Sequence, residues 1–268
     1  MSVDHTTRRT ENIKNLSEDT DLAELTKNWL FKTAQHYYSY NFNYLSRPII
    51  QYPQDMVVMQ DLILSIKPDL VIETGIAHGG SIVMSASMLA LVDYCDAVDA
   101  GTMLDPQNPK RKVLGIDIDI RDHNKKELLK SPMASRIDMI EGSSISEEII
   151  AQVHEYAKPY KKILIFLDSN HTHQHVLEEL RAYAPLVSKD SYCVVYDTVI
   201  EDLPGDQFPD RPWGPGNSPK TAVFQYLDEI KVSPLDGVDD EKIKFSIDKD
   251  IENKIQITVA PDGYLKRI

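Results

Sequence analysis

Five short apolar runs, "DLVIETG", "KVLGIDID", "RIDMIEG", "KILIFLDS" and "SYCVVYDT", are rich in Val, Ile and Leu, and each closes on acidic or other polar residues. Between most of them lie "SIVMSASMLALVDYC", "SISEEIIAQVHEYA" and "THQHVLEELRAYAPLV", whose pattern is helical. Strands buried on both faces and joined by helices predict an α/β fold with a doubly wound, mostly parallel sheet. Upstream, residues 1 to about 20 are polar and expected to fray. Leu22, Leu25, Trp29, Leu30 and Thr33 then predict a helix within 21–40, and a second is expected from Asp55 to Ser65. The closing stretch "KIKFSIDKDIENKIQITVAPDGYLKRI" predicts two strands that finish the sheet, with a Pro-Asp-Gly turn between Val259 and Tyr264. We divide the chain into an N-terminal helical extension, 1–46, and a main domain, 47–268.

Composition narrows the partners. A net charge of −13, from 29 basic and 42 acidic residues, repels a phosphate backbone, so no nucleic acid is expected. No apolar run approaches the roughly 18 residues of a bilayer span, and the polar N-terminus lacks a secretory pattern, so no membrane span and a cytoplasmic location are expected. The two cysteines, Cys95 and Cys193, have no metal-ligand spacing and are expected to be buried thiols.

In a doubly wound sheet ligands bind at the carboxyl ends of the strands. The first closure carries Glu73, Gly75, Ala77, His78, Gly79, Gly80 and Ser81. Its glycines allow positive φ and close approach, and the following helix offers free N–H groups. This is neither a G-x-G-x-x-G fingerprint nor a phosphate loop, and a tight turn without a ligand is the alternative. Asp117 and Asp119 close the second strand within reach of a ribose, and Gly142 and Ser143 close the third beside a base. Together they point to an adenosine-containing ligand without a pyrophosphate, and S-adenosylmethionine fits.

The fourth and fifth closures end in Asp168, with His171 three residues on, and in Asp197. Neighbouring parallel strands lie about 4.8 Å apart, so these carboxylates can share a hard cation such as Mg²⁺. The alternative for Asp168 is a helix cap. In "HTHQH", His173 and His175 are read as solvated or cap-associated, whereas His171 is placed to take a proton from a hydroxyl. A proline-rich stretch after Asp197 predicts a loop to about Pro219, with Arg211 and Trp213 suited to a sugar or an anion. Glu201 and Asp202 are alternative metal ligands. Gln51, Tyr52 and Asp55 join Arg211 and Trp213 as candidates around the acceptor.

The motifs "PDLVIETGIAHGGS", "GIDID", "EGSS", "IFLDSNHTHQHV", "VVYDTVIEDLP", "RPWGPGNSPKTAV" and "GYLKR" resemble the cephalosporin hydroxylase family from about Arg47 to the C-terminus. Despite that name, the resemblance implies a Rossmann-like methyltransferase fold with an antiparallel C-terminal hairpin. It also implies S-adenosylmethionine and Mg²⁺ as cofactors, and a sugar hydroxyl in a surface saccharide or natural product as acceptor. It places Glu73, Gly75 and Gly79 at the methionine side, Asp117 at the ribose, Ser143 at the adenine, Asp168 as a metal ligand and His171 as the base. One position departs: relatives close the fifth strand with Glu-Asp, and this chain has Tyr196-Asp197. Two rival readings follow, an iron-dependent hydroxylase built on Asp168, His171 and His173, and a non-catalytic cofactor-binding subunit. A homo-oligomer through the aromatic run "HYYSYNFNY" is also expected.

Overall fold

The computed structural model describes residues 3–268. The polar N-terminus forms α1 (Val3–Glu18) where fraying was expected, and α1 lies against a C-terminal helix introduced below. Asp19 caps α2 (Thr20–Ala34), its carboxylate accepting from Leu22 N at 2.9 Å. A 3₁₀ turn over Tyr38–Asn41 leads into β1 (Phe42–Tyr44), which pairs antiparallel with β2 (Arg47–Ile49). The turn between them is made by Leu45 and Ser46, both at positive φ. The expected division at residue 46 therefore falls inside a hairpin. Trp29, Tyr38, Phe42 and Tyr44 pack on the main core, and Tyr38 stacks on Tyr52 at 5.4 Å.

Next come α3 (Pro53–Ile66), with proline in its first turn, β3 (Leu70–Thr74) and α4 (Gly80–Ala100). Among the described residues α4 is the one helix long and apolar enough to cross a membrane. Its Ile82, Val83, Ala86 and Leu89 are buried in the protein's own core. Its Asp93 is held by Arg111 and by Arg136 Nη1 at 2.6 Å. Cys95, on the outer face of α4, is exposed rather than buried, whereas Cys193 is buried as expected.

The chain then alternates through β4 (Lys112–Asp117), α5 (Asp122–Lys130), β5 (Ile137–Glu141), α6 (Glu147–Ala157), β6 (Ile163–Leu167), α7 (His173–Tyr183) and β7 (Tyr192–Val195). Ser218 opens α8 (Pro219–Val232) with a capping box. The chain ends in β8 (Phe245–Ile247), α9 (Lys249–Ile255) and β9 (Tyr264–Arg267). The seven-stranded sheet has the order β5-β4-β3-β6-β7-β9-β8, parallel through β7 and antiparallel at β9. The two expected final strands are present, but they are not a tight hairpin. β9 pairs with β7 on one side and β8 on the other, and the stretch expected to lead into the Pro-Asp-Gly turn as a strand contains α9, opened by the Asp248 carboxylate accepting from Asp250 N.

Strand residues alternate between two cores. Val71, Val113, Leu164, Phe166 and Val194 face α3 and α4, and Ile72, Leu114, Ile165, Leu167 and Cys193 face α6, α7 and α8. Because β4 and β5 lie on one side of β3 and β6 and β7 on the other, the sheet reverses winding between β3 and β6. The carboxyl ends of these two strands open the crevice in which such folds bind ligands.

Candidate active site

The ladder runs straight into this crevice. Gly75 N donates to Ile116 O at 2.8 Å, Asp168 N to Thr74 O at 3.0 Å and Tyr196 N to Leu167 O at 3.0 Å. The side chains that follow each strand are thus fixed by sheet register. Gly75 has φ +88°, and a Cβ there would collide with the Asp168 carbonyl oxygen, so the bare backbone lets two strand ends touch. Ala77 also sits at positive φ, +46°, where a side chain is disfavoured. The turn is braced from outside. Arg47 Nε donates to His78 O at 2.9 Å and Arg47 Nη2 to Asn124 Oδ1 at 2.7 Å, while Asn124 Nδ2 donates to Ala77 O at 2.8 Å. Neither Arg47 nor Asn124 carried a signal in the sequence, because their role is to satisfy carbonyls 31 and 47 residues away.

Asp117 reaches across from β4, its Oδ2 accepting from Ile76 N at 2.8 Å and Ala77 N at 3.0 Å. The carboxylate expected at a ribose is therefore tied to the glycine turn and lies on the wall of a 260 Å³ cavity with Ser143, Ser169 and His175. Glu73 lies beneath the turn, 1% exposed. Ser81 Oγ donates to its Oε1 at close range, Oε2 has no partner, and burial pushes its carboxyl up to about 8.

A second cavity, of about 410 Å³, is lined by Gln51, Tyr52, His78, Gly79, Ser81, His171, Asp197, Arg211 and Trp213 among others. Gly75, Ala77, Asp168 and Ser169 belong to the walls of both cavities. At this junction the ligand atoms of Asp168, His171 and Asp197 lie within 4.8 Å of one another, each residue half-buried. Gln51 Nε2 donates to Asp168 Oδ2 at 2.9 Å. Burial first, and then the neighbouring Asp197 and Glu73, drive the Asp168 carboxyl well above the usual carboxylate range. Two carboxylates and an imidazole in so small a space suit a divalent cation, which would relieve this cost.

The structure separates other candidates from this cluster. Glu201 accepts from Gly216 N and from Ser218 Oγ at 2.6 Å, and Asp202 pairs with Lys220, so both secure the proline-rich loop to the start of α8. Asp55 is fully buried away from the cavity, accepting from Thr258 Oγ1 at 2.5 Å, Tyr264 Oη at 2.9 Å and Val259 N at 3.0 Å. Asp168 caps no helix, since Asn170 Oδ1 takes Thr172 N at 2.9 Å instead. Tyr196 is buried and stacks on Phe166 at 5.9 Å, on the core side of the sheet. His173 turns outward to Thr221 and Gln225, so the set Asp168, His171 and His173 that a hydroxylase needs is not assembled. His175 is neither solvated nor a cap, but lies on the wall of the smaller cavity. Tyr40, marked in the sequence only as part of an aromatic run expected between subunits, lines the larger cavity, and the N-terminal segment contributes Leu30, Ala34 and Tyr37 there as well.

Strand order, glycine turn, acid on the neighbouring strand and paired cavities together define a Rossmann-like α/β protein with its ligand site at the carboxyl ends of β3 and β6. The sequence profile of the rhamnosyl O-methyltransferase/CmcI family matches residues 36–268, and the chain belongs to that family. It is similar to the rhamnosyl O-methyltransferases of Mycobacterium bovis (strain BCG / Pasteur 1173P2) and Mycobacterium tuberculosis (strain ATCC 25618 / H37Rv). In each case 32% of 220 residues are identical, covering 80% of this chain and 73% of the relative. Among solved structures, CmcI with magnesium and S-adenosylmethionine superposes with a TM-score of 0.52 at 14% identity, over 85% of this chain and 77% of that one, a likeness of fold.

Proposed function

We propose that this protein transfers the methyl group of S-adenosylmethionine to a hydroxyl of a sugar, with His171 as the base. The observation that carries the reading is the meeting of two cavities at Gly75, Ala77, Asp168 and Ser169, with His171 beside the junction. The smaller, walled by Asp117 and Ser143, suits an adenosine. The larger, walled by Tyr40, Tyr52, Arg211 and Trp213, suits a glycosyl acceptor. Similarity to rhamnosyl O-methyltransferases supports a deoxysugar in this position.

In the reaction an O–CH₃ bond forms as the S–CH₃ bond breaks, the hydroxyl proton passes to His171, and S-adenosylhomocysteine remains. Asp168 and Asp197, with His171 adjacent, would hold Mg²⁺, which acidifies a hydroxyl placed beside it. The chain's own contribution is positioning. Register fixes Asp168 and Asp197 at adjacent strand ends, Gln51 restrains Asp168, and Trp213 stands edge-on to His171 with ring centroids 4.8 Å apart. Isothermal titration with S-adenosylhomocysteine, in Mg²⁺ and again in EDTA, tests the cofactor half. Micromolar binding in either buffer is expected, and none in both would remove the reading. Methylation assays on rhamnosylated acceptors test the other half.

A further inference from the structure

Beneath the smaller cavity four side chains from three elements converge. Glu179, on α7, is fully buried, and its Oε1 accepts from Ser144 Oγ and from Ser169 Oγ, each at 2.6 Å. Ser144 follows β5 and Ser169 follows Asp168. One turn before Glu179, His175 places Nε2 3.0 Å from Ser144 Oγ, 3.1 Å from Ser169 Oγ and 3.5 Å from Glu179 Oε1. Tyr183 Oη donates to Ser144 O, so this serine is held by side chain and backbone together.

The proton count fixes the tautomer. Both seryl hydroxyls donate their only proton to the carboxylate, so toward His175 they present lone pairs. Nε2 faces three oxygens and must carry the ring proton. In the neutral ring Nδ1 is then an acceptor, on a side chain that forms part of the cavity wall beside Ser143 and Asp117. Glu179 Oε2 has no partner. An unpaired buried carboxylate oxygen costs stability, so the carboxylate is poorly explained by packing alone, and orienting the imidazole supplies a reason for it.

We propose that His175, held in this tautomer by Glu179 through Ser144 and Ser169, reads the exocyclic amine of the cofactor's adenine and selects adenosyl over inosyl ligands. The inference rests on the S-adenosylmethionine reading of the smaller cavity. His175 is a binding residue in it, and Glu179 a positioning residue. The same network ties the loop bordering the base to the residue after Asp168.

The test is isothermal titration of the full chain with S-adenosylhomocysteine and with S-inosylhomocysteine, which carries a carbonyl in place of the amine. The wild type should prefer the adenosyl ligand by about tenfold or more, the range of one matched against one unmatched polar contact. His175→Leu should reduce the preference to within about threefold. His175→Asn, whose side-chain oxygen can replace Nδ1, should restore most of it, a rescue that a merely structural role would not produce. Should the Leu variant fail to fold, Ser169→Ala, which leaves Ser144 on the carboxylate, is expected to weaken the preference in the same direction. Equal affinity for the two ligands in the wild type, or an unchanged preference in the Leu or Ala variant, overturns the inference and leaves cofactor binding standing. Absence of S-adenosylhomocysteine binding in the wild type overturns both.

Discussion

His171 Nε2 lies 3.2 Å from Asp197 Oδ2, an imidazole from the loop after β6 meeting a carboxylate from the end of β7. The contact orients the ring at the junction of the two cavities, where a hydroxyl would face the methyl donor. His171→Ala should therefore lower turnover by about 10² or more, a usual contribution for a general base. Affinity for S-adenosylhomocysteine should stay within about threefold of the wild type. A single-turnover assay beside a calorimetric titration separates the two, and full turnover in the variant would remove His171 from the chemistry.

Burial first, and then the Asp197 carboxylate at the adjacent strand end, hold the Asp168 carboxyl well above the usual carboxylate range. A divalent cation would offset this, so Mn²⁺ used as a paramagnetic probe should bind, and Asp168→Asn should weaken that binding by about tenfold or more. Glu201→Gln should leave it unchanged, because that carboxylate is spent on Gly216 and Ser218. Electron paramagnetic resonance titration reads both without any turnover.

Trp213 packs its ring edge-on to His171 at 4.8 Å, and the Arg211 guanidinium lies over it at 5.2 Å. The indole is thus an apolar wall beside the His171 imidazole. Removing an aromatic contact of this kind costs about 1 kcal/mol, so Trp213→Ala should raise the acceptor KM by about fivefold. Binding of S-adenosylhomocysteine, on the far side of Gly75 and Asp168, should be unaffected. Steady-state kinetics with the acceptor varied, compared with cofactor titration, distinguishes this from a general loss of structure.

The sheet and the glycine turn were legible in the sequence because the same local patterns produce them everywhere. Apolar runs buried on both faces make strands, and Gly75 precedes a helix at a strand end where little else fits. Acidic residues were less legible. Asp55, Asp197, Glu201 and Asp202 look alike in one dimension, and only the fold shows that Thr258 and Tyr264 enclose the first while Lys220 takes the last. The Glu179 cluster was invisible for the same reason, since Ser144 lies 35 residues from the carboxylate it serves. The final strands misled differently. The stretch after Ile247 offers apolar residues at both periods, and capping by Asp248 decides for a helix.

Asp55 gives the chain a built-in pH dependence of stability. Burial pushes its carboxyl up to about 6 from the 3.8 of a free aspartate, against three hydrogen bonds that favour the charged form. A group whose folded value is raised binds its proton more tightly in the folded chain. Its stabilising effect is therefore complete below about pH 4 and lost as pH rises through about 6. A shift of this size corresponds to about 3 kcal/mol between those limits. Asp55→Asn cannot ionise, so urea denaturation at pH 4 and pH 7 should show this component of the slope in the wild type and its loss in the variant. Equal slopes in the two proteins would mean that Asp55 ionises as readily in the folded chain as in the unfolded one.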